Sequence, residues 1–161
     1  MPISLVLLSL LGLAPFVGCG LLALGGHPDT AARMLTSLLA WGALALSFAC
    51  GIHWGLVLRE GAPASATATP VPGRHLRVGA AVLPLILAWV AVMLPLVTIY
   101  WLGLLLLILA YVAMLAVEHR FARAVALPTG YLLLRWVFTI AAVAMLVTVL
   151  TLGLLGQTIA F

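Results

Sequence analysis

The chain has 161 residues, of which 66% are hydrophobic and 6% charged, and its mean hydropathy is +1.37. Soluble domains carry about 25% charged residues, so a water-soluble fold is excluded. The net charge of +4 comes from arginines that flank apolar runs, a pattern that membrane topology explains, and it does not point to nucleic acid. The useful unit is therefore the bilayer-spanning helix of roughly 20 apolar residues. Five such units fit, giving an all-α bundle in one membrane domain.

The first unit covers residues 3–24, with Pro15 inside it. No Lys or Arg precedes it, and it exceeds the roughly 7–15 residues of a signal-peptide apolar core. It is expected to be a retained helix, although "FVGCG" around Cys19 is similar to a lipoprotein cleavage box. The second unit, residues 30–59, opens after "GGHPDT", where Asp29 or Thr30 is placed to cap a helix. About 30 residues rise roughly 45 Å, so this helix must tilt or protrude. Residues 61–73, "GAPASATATPVPG", have the composition of a flexible loop.

The third unit, residues 76–94, contains Pro84, and the fourth, residues 97–117, follows Pro95 almost at once, so the two form a tight hairpin. The fifth covers residues 131–155. Proline is tolerated inside membrane helices because neighbours can satisfy the freed carbonyls; Pro15 and Pro84 are read as kinks.

Five spans put Arg59, Arg74, Arg77, Arg120 and Arg123 on one side, with Arg135 close by, and only Arg33 on the other. The positive-inside rule then places the amino terminus in the cytoplasm and the carboxyl terminus outside. Tyr100 and Trp101 suit the outer interface; Trp54, Tyr131 and Trp136 suit the inner one.

Polar residues at membrane depth are the candidates for function, because they are costly there. In "SFACGIHWGLVLRE", Gly51 and Gly55 share one face of the second helix and are expected to let another helix approach, with Ser47 near that face. His53 points the other way, in line with Gly42, Leu46, Ala49 and Cys50. It lies six residues before Arg59, while Arg135 lies about five residues into the last helix from the same side, so both sit roughly 8 Å beneath the inner interface. Tyr131, Arg135, Thr139 and Ala142 form one polar stripe. The expected site is thus a shallow layer of His53, Arg135, Tyr131, Thr139, Ser47 and Trp54, with Arg77, Glu118 and Glu60 at its rim and His53 uncharged at neutral pH.

Catalytic, metal and cofactor sites are not indicated. Cys19 and Cys50 would lie some 22 Å apart along the bundle, beyond the roughly 7 Å between Cα atoms that a disulfide allows. No zinc-type spacing occurs, and His53 lacks a partner of matching depth for a bis-histidine haem. His27 and Asp29 belong to the outer loop, His75 and His119 to inner helix ends. No nucleophile with a base, no phosphate-binding glycine loop and no intramembrane carboxylate pair is present.

"LSFACGIHWGLVL" (residues 46–58), "VLPLILAWVAVMLP" (82–95) and "LPTGYLLLRWVFTIAAVAMLVTVL" (127–150) resemble the transmembrane protein 69-like family, catalogued as domain of unknown function 3429. The resemblance implies a five-helix bacterial inner-membrane protein and supplies no activity. Two positions depart from the family pattern: Cys50 stands where glycine is expected, and "LPTGY" replaces a more aromatic "LPxWY". Three functions remain in contention: first an accessory or assembly partner of a larger membrane complex, then a small-solute or lipid-binding carrier using the His53/Arg135 layer, and third an intramembrane enzyme or cofactor protein. Membrane lipids, and for the first reading another membrane protein, are the partners implied.

Overall fold

The computed structural model describes residues 3–60, 74–97, 99–121 and 130–156. The expected loop at 61–73, and the side chains of Arg59, Glu60, Arg74, His75 and Arg77, lie outside the described residues. Six α-helices run in order: α1 (Ile3–Leu11), α2 (Ala14–Gly25), α3 (Pro28–Glu60), α4 (Arg74–Met93), α5 (Tyr100–Phe121) and α6 (Tyr131–Leu154), with a 3₁₀ turn at Leu94–Val97 between α4 and α5. No strand occurs among the described residues.

The first apolar run is two helices, not one. Proline has no N–H and its ring clashes with the carbonyl four residues earlier, which here is that of Leu11. The chain accordingly breaks at Gly12–Leu13, and Pro15 sits in the first turn of α2. The Gly12 carbonyl freed by the break accepts a hydrogen bond from Trp41 Nε1 at 3.0 Å, the kind of repair by a neighbouring helix that a membrane interior demands. Pro84, by contrast, lies within an uninterrupted α4.

α3 begins two residues earlier than the capping pattern of Asp29 and Thr30 implied. Pro28 occupies its first position, where a missing N–H costs nothing, and the His27 carbonyl accepts from the N–H of Thr30 and of Ala31, both at 2.8 Å. Its 33 residues rise about 50 Å. α5 starts three residues later than expected and ends four later. α6 follows Gly130, whose φ of 87° lies in the left-handed region that favours glycine. A residue with a side chain in that place would be strained.

α3 packs against α2, α4 and α5, while α6 packs against α5, α2 and α1. The centre is built from Phe16, Leu39, Leu46, Leu107, Tyr111 and Met114, all 2% exposed or less. Phe16 meets Tyr111 and Phe138 edge-on, with ring centroids 6.1 and 5.9 Å apart, the geometry that aligns a positive ring edge with a negative face. Two glycines permit close helix crossings. A Cβ on Gly42 would stand 2.6 Å from Leu107 Cδ2, and one on Gly103 would stand 2.7 Å from the Ala91 carbonyl oxygen.

The exterior is apolar as well: Leu44, Phe48, Leu58, Trp89, Leu133 and Ile140 all face outward. A surface of this kind is suited to lipid rather than to water. Three helices, Pro28–Leu58, Tyr100–Phe121 and Tyr131–Leu154, are long and apolar enough to cross a membrane by length and composition, and Ser9–Gly25 and Gly79–Met93 are shorter apolar helices. The molecule is an all-α helical bundle of membrane-protein character.

Candidate functional site

Glu118 is the centre of the polar layer. Its side chain is fully buried, on the same face of α5 as Leu104, Leu107, Tyr111 and Met114. Arg135 donates through Nε to both of its carboxylate oxygens, at 2.8 Å to Oε1 and 3.0 Å to Oε2. Tyr131, one turn earlier on α6, donates its hydroxyl to Oε1 at 3.1 Å. From α3, His53 Nε2 approaches the same oxygen to 3.9 Å, too far for a hydrogen bond. Three helices thus converge on one carboxylate. The charge-assisted bonds to Arg135 compensate for removing two charges from solvent.

The node is incompletely satisfied. His53 Nδ1 and Nε2, Arg135 Nη2 and Thr139 Oγ1 are buried and have no hydrogen-bond partner. His53 is 5% exposed and Thr139 3%. A buried polar atom without a partner costs about 1–3 kcal/mol; three of the four belong to Arg135 and His53 at the ion pair, and the fourth lies one turn beyond Arg135.

Beside the node runs a half-open groove of about 670 Å³, within the range typical of ligand pockets. α3 forms one wall with Leu44, Ala45, Phe48 and Ile52; α6 forms another with Leu134 and Phe138. The break between α1 and α2 closes the third side with Ser9 and Gly12. From Trp41 to Ile52 the α3 wall extends about 16 Å. Arg135 and Tyr131 line the groove while holding Glu118, so the guanidinium joins the node to the groove.

Of the residues expected from sequence, His53, Arg135 and Tyr131 come together around Glu118, and Thr139 is buried one turn beyond Arg135. Ser47 and Trp54 do not join them. The Ser47 hydroxyl donates to the Ala43 carbonyl of its own helix at 2.7 Å, and Trp54 is 48% exposed on the outer surface. Gly42 is a packing glycine, as expected, but Gly51 and Gly55 are exposed with nothing within 4 Å of an added Cβ. Their face receives no helix among the described residues, because α2, α4 and α5 all pack on the Gly42–Leu46–His53 side.

Glu118 was placed at the rim because the apolar run of α5 ends at Val117. Its real position was written in the spacing: 104, 107, 111, 114 and 118 alternate steps of three and four residues, a single buried stripe, and Glu118 completes it. His53 also faces a carboxylate as well as Arg135, so the charge around the ring is not set by the arginine alone. Cys19 and Cys50 are free, and Cys50 packs its Sγ 3.8 Å from Met114 Sδ. Among the described residues no group of three His, Cys, Asp or Glu could hold a metal ion. His27, Asp29, His119 and Arg120 are exposed and away from the node.

The family model described as "Protein of unknown function (DUF3429)" matches residues 1–151. The chain belongs to this family. Domain of unknown function 3429 covers every helix that contributes to the node and groove, so both are built within its span. No match was found among curated proteins or among solved structures.

Proposed function

We propose that this protein is a membrane-embedded binding protein for an amphipathic lipid, held with its apolar part in the groove and its polar end at Arg135. The supporting observation is that Arg135 Nη2, buried and without a partner, belongs to a side chain lining an otherwise mainly apolar groove. A pocket of that character recognises shape along its length and chemistry at one end. The break at Gly12–Leu13 fits the same reading, since irregular backbone at membrane depth is tolerated where it lines a cavity.

The lipid reading includes a topology: five passes through a bacterial inner membrane, α1 and α2 together counting as one, with the amino terminus cytoplasmic. The arginine asymmetry supports it. A periplasm-dependent reporter fused after residue 156 is expected to be active and one fused after residue 60 inactive; the reverse pattern would invert the bundle.

The binding test is native mass spectrometry of protein extracted with its own lipids. Wild type should retain a bound lipid that Ala45→Trp, which fills the groove without touching Glu118, loses while keeping its helical content and melting temperature. An identical lipid complement in both proteins would refute the reading.

A second reading, an accessory subunit of a larger complex, has one observation in its favour. Gly51 and Gly55 are exposed side by side on α3 with open space in front of them, a surface that lets a foreign helix approach closely. Leucine at both positions should then abolish co-purification of a membrane partner, and unchanged co-purification would dismiss that surface.

A further inference from the structure

We propose that the lipid taken by the groove carries an anionic headgroup and that its binding is linked to uptake of one proton at His53. This rests on the lipid-binding reading above and adds a headgroup class and a coupled ion. Arg135 spends only its Nε on Glu118, with both bonds from that one nitrogen. Nη2 is buried and unpartnered, and other atoms of the side chain, 12% exposed overall, line the groove beside it. The far edge of a guanidinium is a planar, two-pronged donor suited to a carboxylate, sulfonate or phosphate, and a headgroup with oxygen acceptors completes its hydrogen bonding.

An anion arriving there meets a pair that is already formally neutral, Arg135 with Glu118. Adding it would leave one uncompensated negative charge in a low-dielectric site, which is costly. A proton removes that charge. Glu118 is badly placed to take it, since both of its oxygens accept from Arg135 and one also from Tyr131. His53 is well placed: both ring nitrogens are buried without partners, and Nε2 stands 3.9 Å from Glu118 Oε1, so a protonated ring closes onto a waiting acceptor. Histidine is also the side chain that changes charge near neutrality.

The groups facing His53 leave no competing acceptor among the described side chains. α5 brings Glu118, and α6 brings Arg135 and Tyr131 through the shared carboxylate. Cys50 lies one turn away on α3 itself. α2 contains no charged residue, and the described side chains of α4, residues 79–93, contain none.

The test measures binding of three single-chain probes to the full chain in nanodiscs of zwitterionic phosphatidylcholine: hexadecanesulfonate, which stays ionised throughout, hexadecyl phosphate, and neutral hexadecanol. Titration calorimetry in two buffers of different ionisation enthalpy counts the protons. For the sulfonate, Kd is expected to weaken at least tenfold between pH 6 and pH 8, with a net uptake of between about half a proton and one proton per ligand. Hexadecanol should show neither effect. His53→Gln should bind the sulfonate more weakly than wild type does at pH 6 and with no dependence on pH. The sulfonate and phosphate arms separate simple anion recognition from a preference for phosphate, and tighter binding of either anion than of hexadecanol supports the headgroup assignment.

Sulfonate binding in wild type without pH dependence would overturn the proton linkage and leave lipid binding intact. A linkage that persists in His53→Gln would overturn the assignment to that ring and move the proton to Glu118. Equal affinity for hexadecanol and both anions would overturn the anionic headgroup. Binding of none of the three, together with an unchanged lipid complement in Ala45→Trp, would bring down the lipid reading itself.

Discussion

The middle of the bundle and its polar layer share α3, α5 and α6, with α2 added in the middle, and obey opposite rules. In the middle, Phe16, Tyr111 and Phe138 interlock edge to face, and the buried Tyr111 hydroxyl donates to the Gly42 carbonyl at 2.9 Å. Even the carbonyl released by the helix break is paired with Trp41. One to two turns away, four buried polar atoms around Glu118 go without partners. A membrane interior offers no water to excuse such atoms, so the first region is complete among the described residues and the second is not. The binding proposed above is assigned to the second.

Substitutions can break or sharpen this contrast. The largest effect is expected from Glu118→Ala, which leaves the Arg135 guanidinium buried without its counter-charge. A loss of about 3–5 kcal/mol is expected by equilibrium unfolding in detergent, and a loss below 1 kcal/mol would show that water or lipid already neutralises Arg135. Gly103→Ala comes next. Its Cβ would meet the Ala91 carbonyl oxygen, forcing α4 and α5 apart at about 1–3 kcal/mol. The same unfolding assay reads it, with no change expected in lipid binding.

Tyr111→Phe should cost only about 0.6 kcal/mol, the typical value of an interhelical hydrogen bond in a membrane protein, because the edge-on ring contacts survive. A cost above 2 kcal/mol would mean that the hydroxyl organises more than one bond. The smallest effect is expected from Gly51→Ala, whose new methyl meets nothing within 4 Å. It should stay within about 0.5 kcal/mol of wild type, and a larger loss would reveal a second helix seated on that face.

Hydrophobic length alone located all five apolar runs, and period-3.6 geometry put His53 on the buried side of α3 with Leu46 and Ala49. The first run's split followed from Pro15, but a proline's effect depends on whether a neighbour can repair the backbone, and Trp41 is 29 residues from Gly12; Pro84 breaks nothing. Gly51 and Gly55 illustrate a related limit. Small residues advertise a close approach without saying whether the approaching helix belongs to the same chain. Glu118 was legible and misplaced, since hydropathy ends the apolar run at Val117, four residues before the end of α5, whereas the buried stripe from Leu104 onward runs through it. The groove was not legible, because it arises where α1, α3 and α6 fail to close, a property of three helices at once.

The account turns on the unpartnered Nη2 of Arg135 taking a lipid headgroup. The most direct measurement is an experimental structure of the protein in native-lipid nanodiscs. Density running along Phe48 and Leu134 and ending within hydrogen-bond distance of the Arg135 guanidinium is the predicted result. A groove closed by its own side chains, or an Arg135 whose remaining nitrogens are all bonded to protein, would contradict it.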